Sequence, residues 1–296
     1  MIANIFTQIE QMEISDKLYG NIKVSTLVKE LLNTAVLQRL NFVHQSGAVF
    51  LVNPAASHKR LAHSIGVMHL VQLLGGSELE QIAGLLHDIS HTAFSHVGDY
   101  VMEDTTESYH ERIFEETLTR SDIPQILRKY GYTIQDLFNG QFDILEQPLP
   151  YLCADRIDYT LRDALQYGFI KRQEAMRFVK HLAVAENNKI VVTNNEQALW
   201  INNLSKQVNE EIYNYPLYVY ANQQVANIIK KYLSDGYLVQ RDLHQNDTFL
   251  LNKIRSSYGG LEAIKAIKML SGYKSFLKQP EAFKIKKRYI DAFLVK

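Results

Sequence analysis

The sequence predicts a mainly α-helical protein, and two observations carry that expectation. Segment after segment sets apolar residues at three- and four-residue steps, the spacing of one helix face. The composition, 46% hydrophobic with 32 basic residues against 32 acidic, is that of a soluble chain with a sizeable core. At 296 residues the chain holds one large domain or two modest ones. A soft boundary near residue 170 separates 1–170 from a mostly helical 171–296, and the two are expected to pack as one compact unit.

The helical stretches are VSTLVKELL, IGVMHLVQLL, ELEQIAGLLHDI, YHERIFEETL, EEIYNYPLYVYANQQVANIIKKYL and LEAIKAIKML. Ser77 lies just ahead of the third, with Glu80 three residues on, the spacing of a capping box. That helix delivers the chain into His87 and Asp88. HLAVA and KIVVT flank the polar ENN turn and predict a small β-hairpin at about residues 181 to 193. AVFLV (48–52), between Gly47 and the Asn53-Pro54 turn signal, is a second short β-prone piece.

Balanced charge argues against a general nucleic-acid binder, so any charged partner is met locally. The exception is Lys253 to Lys296, with eleven Lys or Arg against three acidic residues. Its KIKKR stretch (284–288) reads first as a solvated face or subunit contact, with phosphate or nucleic acid as the alternative partner. The single cysteine, Cys153, excludes an intrachain disulfide. The start MIANIFTQIEQME lacks the basic head and apolar core of a signal peptide. A cytoplasmic setting fits, and no apolar run approaches the roughly 20 residues of a membrane helix.

Eight of the ten histidines fall between positions 44 and 110, and His63, His87, His91, His96 and His110 are the candidate ligands among them. Any one alone reads as an ordinary hydrogen-bonded histidine. The pair His87-Asp88 is different, because it ends the apolar face AGLL, where an ionised aspartate is costly without a cation or donors. Imidazole nitrogen with carboxylate oxygen suits Mn, Fe, Ni, Co or Zn, and no cysteine cluster argues for structural zinc. Two further ligands are needed from other helices: RLAHS offers His63 and CADRIDY offers Asp155.

With His63, His87-Asp88 and Asp155 in that order, the sequence resembles the H…HD…D signature of the HD-domain phosphohydrolases. Neighbouring words resemble their deoxynucleotide triphosphohydrolase (dGTPase-like) branch: LQRLNFVHQSGAVFLVNPAASHKRLAHSIGV, GLLHDISHTAFSH, YHERI and ADRIDYTLRDALQYG. Together they run from residue 37 to 168. The resemblance implies an HD-domain helical bundle with its catalytic core in 1–170. It implies His63, His87, Asp88 and Asp155 as ligands of one divalent metal, with Mg accompanying the substrate phosphates. His91, and His110 with Glu111, match the groups that activate water or protonate the leaving oxygen, and Asp99 matches a partner of that set. Gln45 matches a sugar contact, Arg60 and His96 match phosphate contacts, and Arg156, Tyr159 and Asp163 match groups around phosphate and sugar.

The branch usually carries an arginine and, about eight residues later, a tyrosine before VxNII. This chain reads YNYPLYVYA from Tyr213 to Ala221 there. Ser90 replaces a usual glycine and Ala62 a frequent acid. Tyr213, Tyr215, Tyr218 and Tyr220 are expected to pack a core at this spacing.

The expected activity is therefore metal-dependent phosphohydrolysis of a nucleotide, with a dNTP cleaved to deoxynucleoside and tripolyphosphate. A phosphatase acting on nucleoside monophosphates, and a non-catalytic nucleotide-sensing or partner-binding module, are the alternatives. The branch further implies a homo-oligomer and a nucleotide activator.

Overall fold

The computed structural model describes residues 12–279 and 290–292; the KIKKR stretch lies outside them. The chain is mainly α-helical, with two small two-stranded sheets. The antiparallel hairpin Leu182–Val184 with Ile190–Val192 falls where the sequence places it.

The other hairpin pairs Met12–Asp16 with Gly20–Val24 and was not expected, although MEISDKLYGNIKV holds the signal. Asp16 Oδ1 accepts the amides of Leu18 and Tyr19, each at 2.8 Å, and Gly20 turns the chain at φ +90°, as such turns require.

AVFLV is not a strand. Gly47–Leu51 winds into a 3-10 helix. Gly47 adopts φ +69°, Asn222 Oδ1 accepts the Ala48 amide at 2.7 Å, and local bonds such as Val52 N–H to Val49 O at 3.0 Å satisfy the backbone. Propensity alone forms no strand without a partner edge.

Ser77 caps the helix Glu78–Leu86 by accepting the Glu80 amide. The Glu80 carboxylate does not close the box. It accepts the amides of Ile144 and Leu145 at 2.8 and 3.1 Å, tying that helix to the loop that leads to Asp155. Two expected helices break. YHERIFEETL divides at Ile113 into Tyr109–Arg112 and Phe114–Thr119. The tyrosine-rich stretch leaves the helix Asn195–Val208 through a π-turn, Asn209–Tyr213, and restarts as Pro216–Ser234, with proline in the first turn, where its missing N–H costs nothing.

That restart separates the four tyrosines. Tyr220 is buried, its hydroxyl donating to Ser271 O at 2.6 Å. Tyr215 is exposed, while Tyr213 and Tyr218 line a cavity. The expected aromatic core stripe is thus realised in full at Tyr220 and in part at Tyr213 and Tyr218, which are half-buried against the first apolar cluster while lining the cavity, and not at Tyr215.

Two apolar clusters hold the described residues together. One runs from Leu18 to Ala292 and includes the pair Arg60–Leu73 and Glu78–Leu86, parts of Ala154–Gln166 and Asn195–Val208, and the second hairpin. The other joins Ala48, Phe94 and Val97 to Pro216–Ser234 and the helices beyond it. Ten residues of Arg60–Leu73 are buried, so this helix is enclosed on most sides and its polar residues, Arg60 and His63, sit in the interior. A cavity of about 500 Å³ opens where the clusters meet, lined by Leu145 and Ile212 of the first and Val219 of the second.

Candidate active site

Thirteen of the fourteen expected site residues line this cavity; Asp99 alone stands behind it. Six segments bring them together, Gln45 coming from the stretch before Gly47–Leu51 and His110 with Glu111 from Tyr109–Arg112. Arg60 and His63 are one turn apart on Arg60–Leu73. His87 is the C-cap of Glu78–Leu86, with Asp88 next. The loop after it carries His91 and His96. Asp155, Arg156, Tyr159 and Asp163 follow the three- and four-residue steps of Ala154–Gln166.

His63 Nε2 lies 3.0 Å from Asp155 Oδ1 and 3.6 Å from Asp88 Oδ2, and His87 Nε2 lies 3.5 Å from an oxygen of each. His63, His87 and Asp88 offer donor atoms all within 4.8 Å of one another. Each ring is fixed from behind. His63 Nδ1 donates to Asp158 Oδ2 at 2.7 Å and His87 Nδ1 to the Gly84 carbonyl at 2.8 Å, so both present Nε2 to the cavity, the arrangement that orients metal-binding imidazoles. His87 Nε2 is buried without a hydrogen-bond partner. Two imidazole nitrogens and two carboxylates, one nitrogen unsatisfied, fit a divalent transition metal.

The support continues inward. Asp158, fully buried, accepts Arg162 Nε and Nη2 at 2.8 and 2.9 Å, and Arg162 Nη1 reaches Asp16 Oδ2 at 2.9 Å. His63, Asp158, Arg162 and Asp16 thus form a buried line from the cavity to the first hairpin. Gly66 makes room for it. A Cβ there would sit 1.9 Å from Asp158 Oδ1 and 2.2 Å from Arg162 Nη2.

The electrostatics divide the histidines. Burial opposes charge on His63, but hydrogen bonds to Asp155 and Asp158 outweigh it and push its pKa up to about 10. Asp88 is held well below the usual carboxylate range because Arg60, His87 and His91 outweigh its burial. Asp155 is lowered too, by His63 and His87 against the same penalty.

His91, His96 and His110 form the second group. His91 and His110 stack with centroids 3.9 Å apart, and His91 Nε2 lies 3.2 Å from Asp88 Oδ1. Burial lowers both, His110 to about 4 and His91 well below its ordinary value, with Arg60 adding to the effect. Both are neutral near pH 7. His96 Nδ1 pairs with Asp99 Oδ2 at 2.9 Å, and Asp99 Oδ1 accepts the Tyr109 amide at 3.0 Å, so Asp99 orients the ring expected at phosphate. Glu111 is exposed at the cavity edge.

Arg60 bonds Asp88 through Nη1 and Ser95 Oγ through Nε at 2.7 Å; its buried Nη2 has no partner. Gln45 Oε1 is also buried and unpartnered. The Arg156 guanidinium, in contrast, donates to the carbonyls of Tyr151 and Gln147 and fastens the preceding loop. Tyr159 packs edge-on to Tyr213, and the Tyr213 hydroxyl donates to Asp163 Oδ2 at 2.6 Å. His58 Nε2 approaches Asp163 Oδ1. His58, Asp158 and Tyr213 are the site groups that sequence reading passed over as such. His58 stands two before Arg60 and Asp158 three after Asp155, so each was within reach of its motif; Tyr213 gave no signal beyond an aromatic stripe.

Comparison with known proteins gives the family. Residues 60–163 match the HD domain family model. Over 248 residues the chain is 44% identical to the uncharacterized protein YdhJ of Bacillus subtilis, spanning 83% of this chain and 76% of that one. It is 32% identical over 239 residues to the metal-dependent phosphohydrolase cns2 of Cordyceps militaris, spanning 78% of this chain and 69% of that protein. Human deoxynucleoside triphosphate triphosphohydrolase SAMHD1 is 28% identical over 58% of this chain, which matches only 36% of its length. A solved structure of a hypothetical protein from Aquifex aeolicus superposes with a TM-score of 0.72 at 26% identity, covering 92% of this chain and 81% of that one. The chain belongs to the HD-domain metal-dependent phosphohydrolases and is a hydrolase. No helix among the described residues is long and apolar enough to cross a membrane.

Proposed function

We propose that this enzyme hydrolyses nucleotides, and that its substrate is a deoxynucleoside triphosphate cleaved to deoxynucleoside and tripolyphosphate. The observation that carries the reading is one cavity in which a His/Asp cluster faces unpartnered Arg60 Nη2 and Gln45 Oε1 beside a neutral His91–His110 pair. The similarity to SAMHD1, which is named for this reaction, supports it.

The residues divide the work. His63, His87, Asp88 and Asp155 hold the metal, Mn, Fe, Ni, Co or Zn. When bound it supplies Lewis acidity toward a phosphate oxygen and lowers the pKa of water. Arg60 donates through Nη2 to phosphate, and His96, oriented by Asp99, presents its other nitrogen to the same group. Gln45, Tyr159 and Asp163 contact the sugar. A neutral His91 or His110 accepts a proton from water, and its imidazolium returns one to the leaving oxygen. Glu111 and Arg156 border this space, and residues 1–170 and 171–296 act as one unit.

A specific observation favours a second reading, a nucleoside monophosphate substrate. Among the described residues, Arg60 and Arg156 are the only Lys or Arg lining the cavity, facing Asp88, Glu107, Glu111, Glu146, Asp155 and Asp163, and Arg156 is bonded to its loop. Such a wall disfavours a highly charged polyphosphate unless cations accompany it. In either reading we place the enzyme in the cytoplasm as a homo-oligomer with a nucleotide activator. The test is to load the protein with Mn, supply single dNTPs and dNMPs, and identify products by chromatography. Tripolyphosphate supports the first reading and inorganic phosphate from a monophosphate the second. Metal bound with no turnover of any nucleotide, activators included, would instead favour a non-catalytic nucleotide sensor.

A further inference from the structure

Asp247 opens the helix Asp247–Ser256, 84 positions beyond the end of the matched HD segment, and it is 2% exposed. Its carboxylate serves two walls of the cavity at once. Oδ1 accepts the Phe94 amide at 2.6 Å. Oδ2 accepts the His44 amide at 2.9 Å and pairs with His44 Nδ1 at 2.7 Å. One wall continues into Gln45, the other into Ser95 and His96.

The geometry held there is one the chain would not adopt freely. Phe94 and Ser95 are consecutive non-glycine residues in the left-handed region, at φ 60° and 53°, a conformation that persists only where surroundings impose it. The turn gives Ser95 two bonds, accepting Arg60 Nε and donating to His44 O. A displacement of Phe94 therefore moves Ser95, and with it Arg60, His96 and the wall that carries Gln45. The neighbouring loop is held in the same way. Leu243 O accepts the Ala93 amide at 2.8 Å, and Arg39 joins the carbonyls of Ile89 and His91, at 2.7 and 2.8 Å, to that of Gln245 at 3.1 Å.

We propose that Asp247 is a positioning residue for substrate: it clamps the His44–Gln45 and Phe94–His96 walls at the separation that substrate binding needs. The rings of His63 and His87 have their own support from behind, in Asp158, Arg162 and Gly84 O, so the clamp reaches the metal side only through Arg60, which bonds both Ser95 and Asp88. The clamp thus governs substrate affinity more than metal binding. Its kinetic consequence rests on the nucleotide reading above.

The test uses full-length, metal-loaded protein, with Asp247→Ala and Asp247→Asn. Asparagine keeps an oxygen for the Phe94 amide but offers His44 no second acceptor. On the best nucleotide substrate, Asp247→Ala should raise KM by about tenfold or more, as misplaced positioning groups do. Asp247→Asn should raise it less, with kcat changing less than KM and metal content unchanged in both. Hydrogen exchange in Asp247→Ala should quicken for segments 43–47 and 91–96 and stay at the wild-type rate for 64–73, the part of that helix beyond Arg60. Wild-type KM and exchange in Asp247→Ala overturn the clamp. So does loss of metal and of protection in 64–73 together, which makes Asp247 a general pillar of the fold. If the wild type turns over no nucleotide, the functional reading fails by itself, and exchange still decides whether the clamp exists.

Discussion

His63 and His110 are imidazoles facing one cavity, yet their surroundings tune them in opposite directions. Two carboxylates touch His63 and raise it to about 10. His110 stacks on another neutral ring, is buried, and falls to about 4. The difference is not residue type or burial but the number of negative charges within reach. Carboxylates gather on the side proposed to hold a cation, while His110 touches none and stays neutral near pH 7.

The largest effect belongs to the carboxylate side. Asp155→Ala or His87→Ala should remove the bound metal and lower turnover by about 10³-fold, the several kcal/mol a catalytic metal supplies. Elemental analysis beside steady-state rates reads both, and a metal-free variant at wild-type rate would break the assignment. His110→Ala comes next, with turnover down about 10²-fold at unchanged metal content, the usual worth of a proton-transfer group. Asp158→Asn weakens the support behind His63 and should loosen metal binding by about tenfold to a hundredfold, read by titration against a chelator. Turnover at saturating metal should change less.

The smallest effect is a pH dependence of stability in metal-depleted protein. His63 is raised, so its contribution is complete below its ordinary 6.5 and is lost as pH rises through about 10. His110 is lowered, so its contribution is complete above 6.5 and is lost as pH falls through about 4. Denaturant midpoints across this range should fall on both sides of neutrality, and His110→Ala should flatten only the acid side. An unchanged acid slope in that variant would show that the ring is not held neutral by burial.

The site was legible where chemistry is local in sequence. The pair His87-Asp88, the word RLAHS and the three- and four-residue steps in ADRIDYTLRD carry their own spacing, and helices convert that spacing into a shared face. What was hidden depends on distant chain. Asp16 and Arg162 meet across 146 positions, and Asp247 reaches Phe94 across 153; no periodicity announces either. The β-prone AVFLV failed for a related reason, since its fate was decided by Asn222 and by the lack of a pairing strand rather than by its own residues. The tyrosine stripe held only in part, with Tyr215 left exposed, because Pro216 restarts the helix and changes the phase of the pattern.

The histidines of the second group also lie close enough to bind an ion, within 4.8 Å of one another, which makes their separate role open to a direct measurement. That measurement is the metal stoichiometry of the wild type, His87→Ala and His110→Ala, by elemental analysis after identical loading and desalting. One tightly bound divalent ion per chain is expected in the wild type and in His110→Ala, and none in His87→Ala. Loss of a metal equivalent in His110→Ala, or full retention in His87→Ala, would contradict the division of the cavity into a metal-holding side and a proton-carrying side.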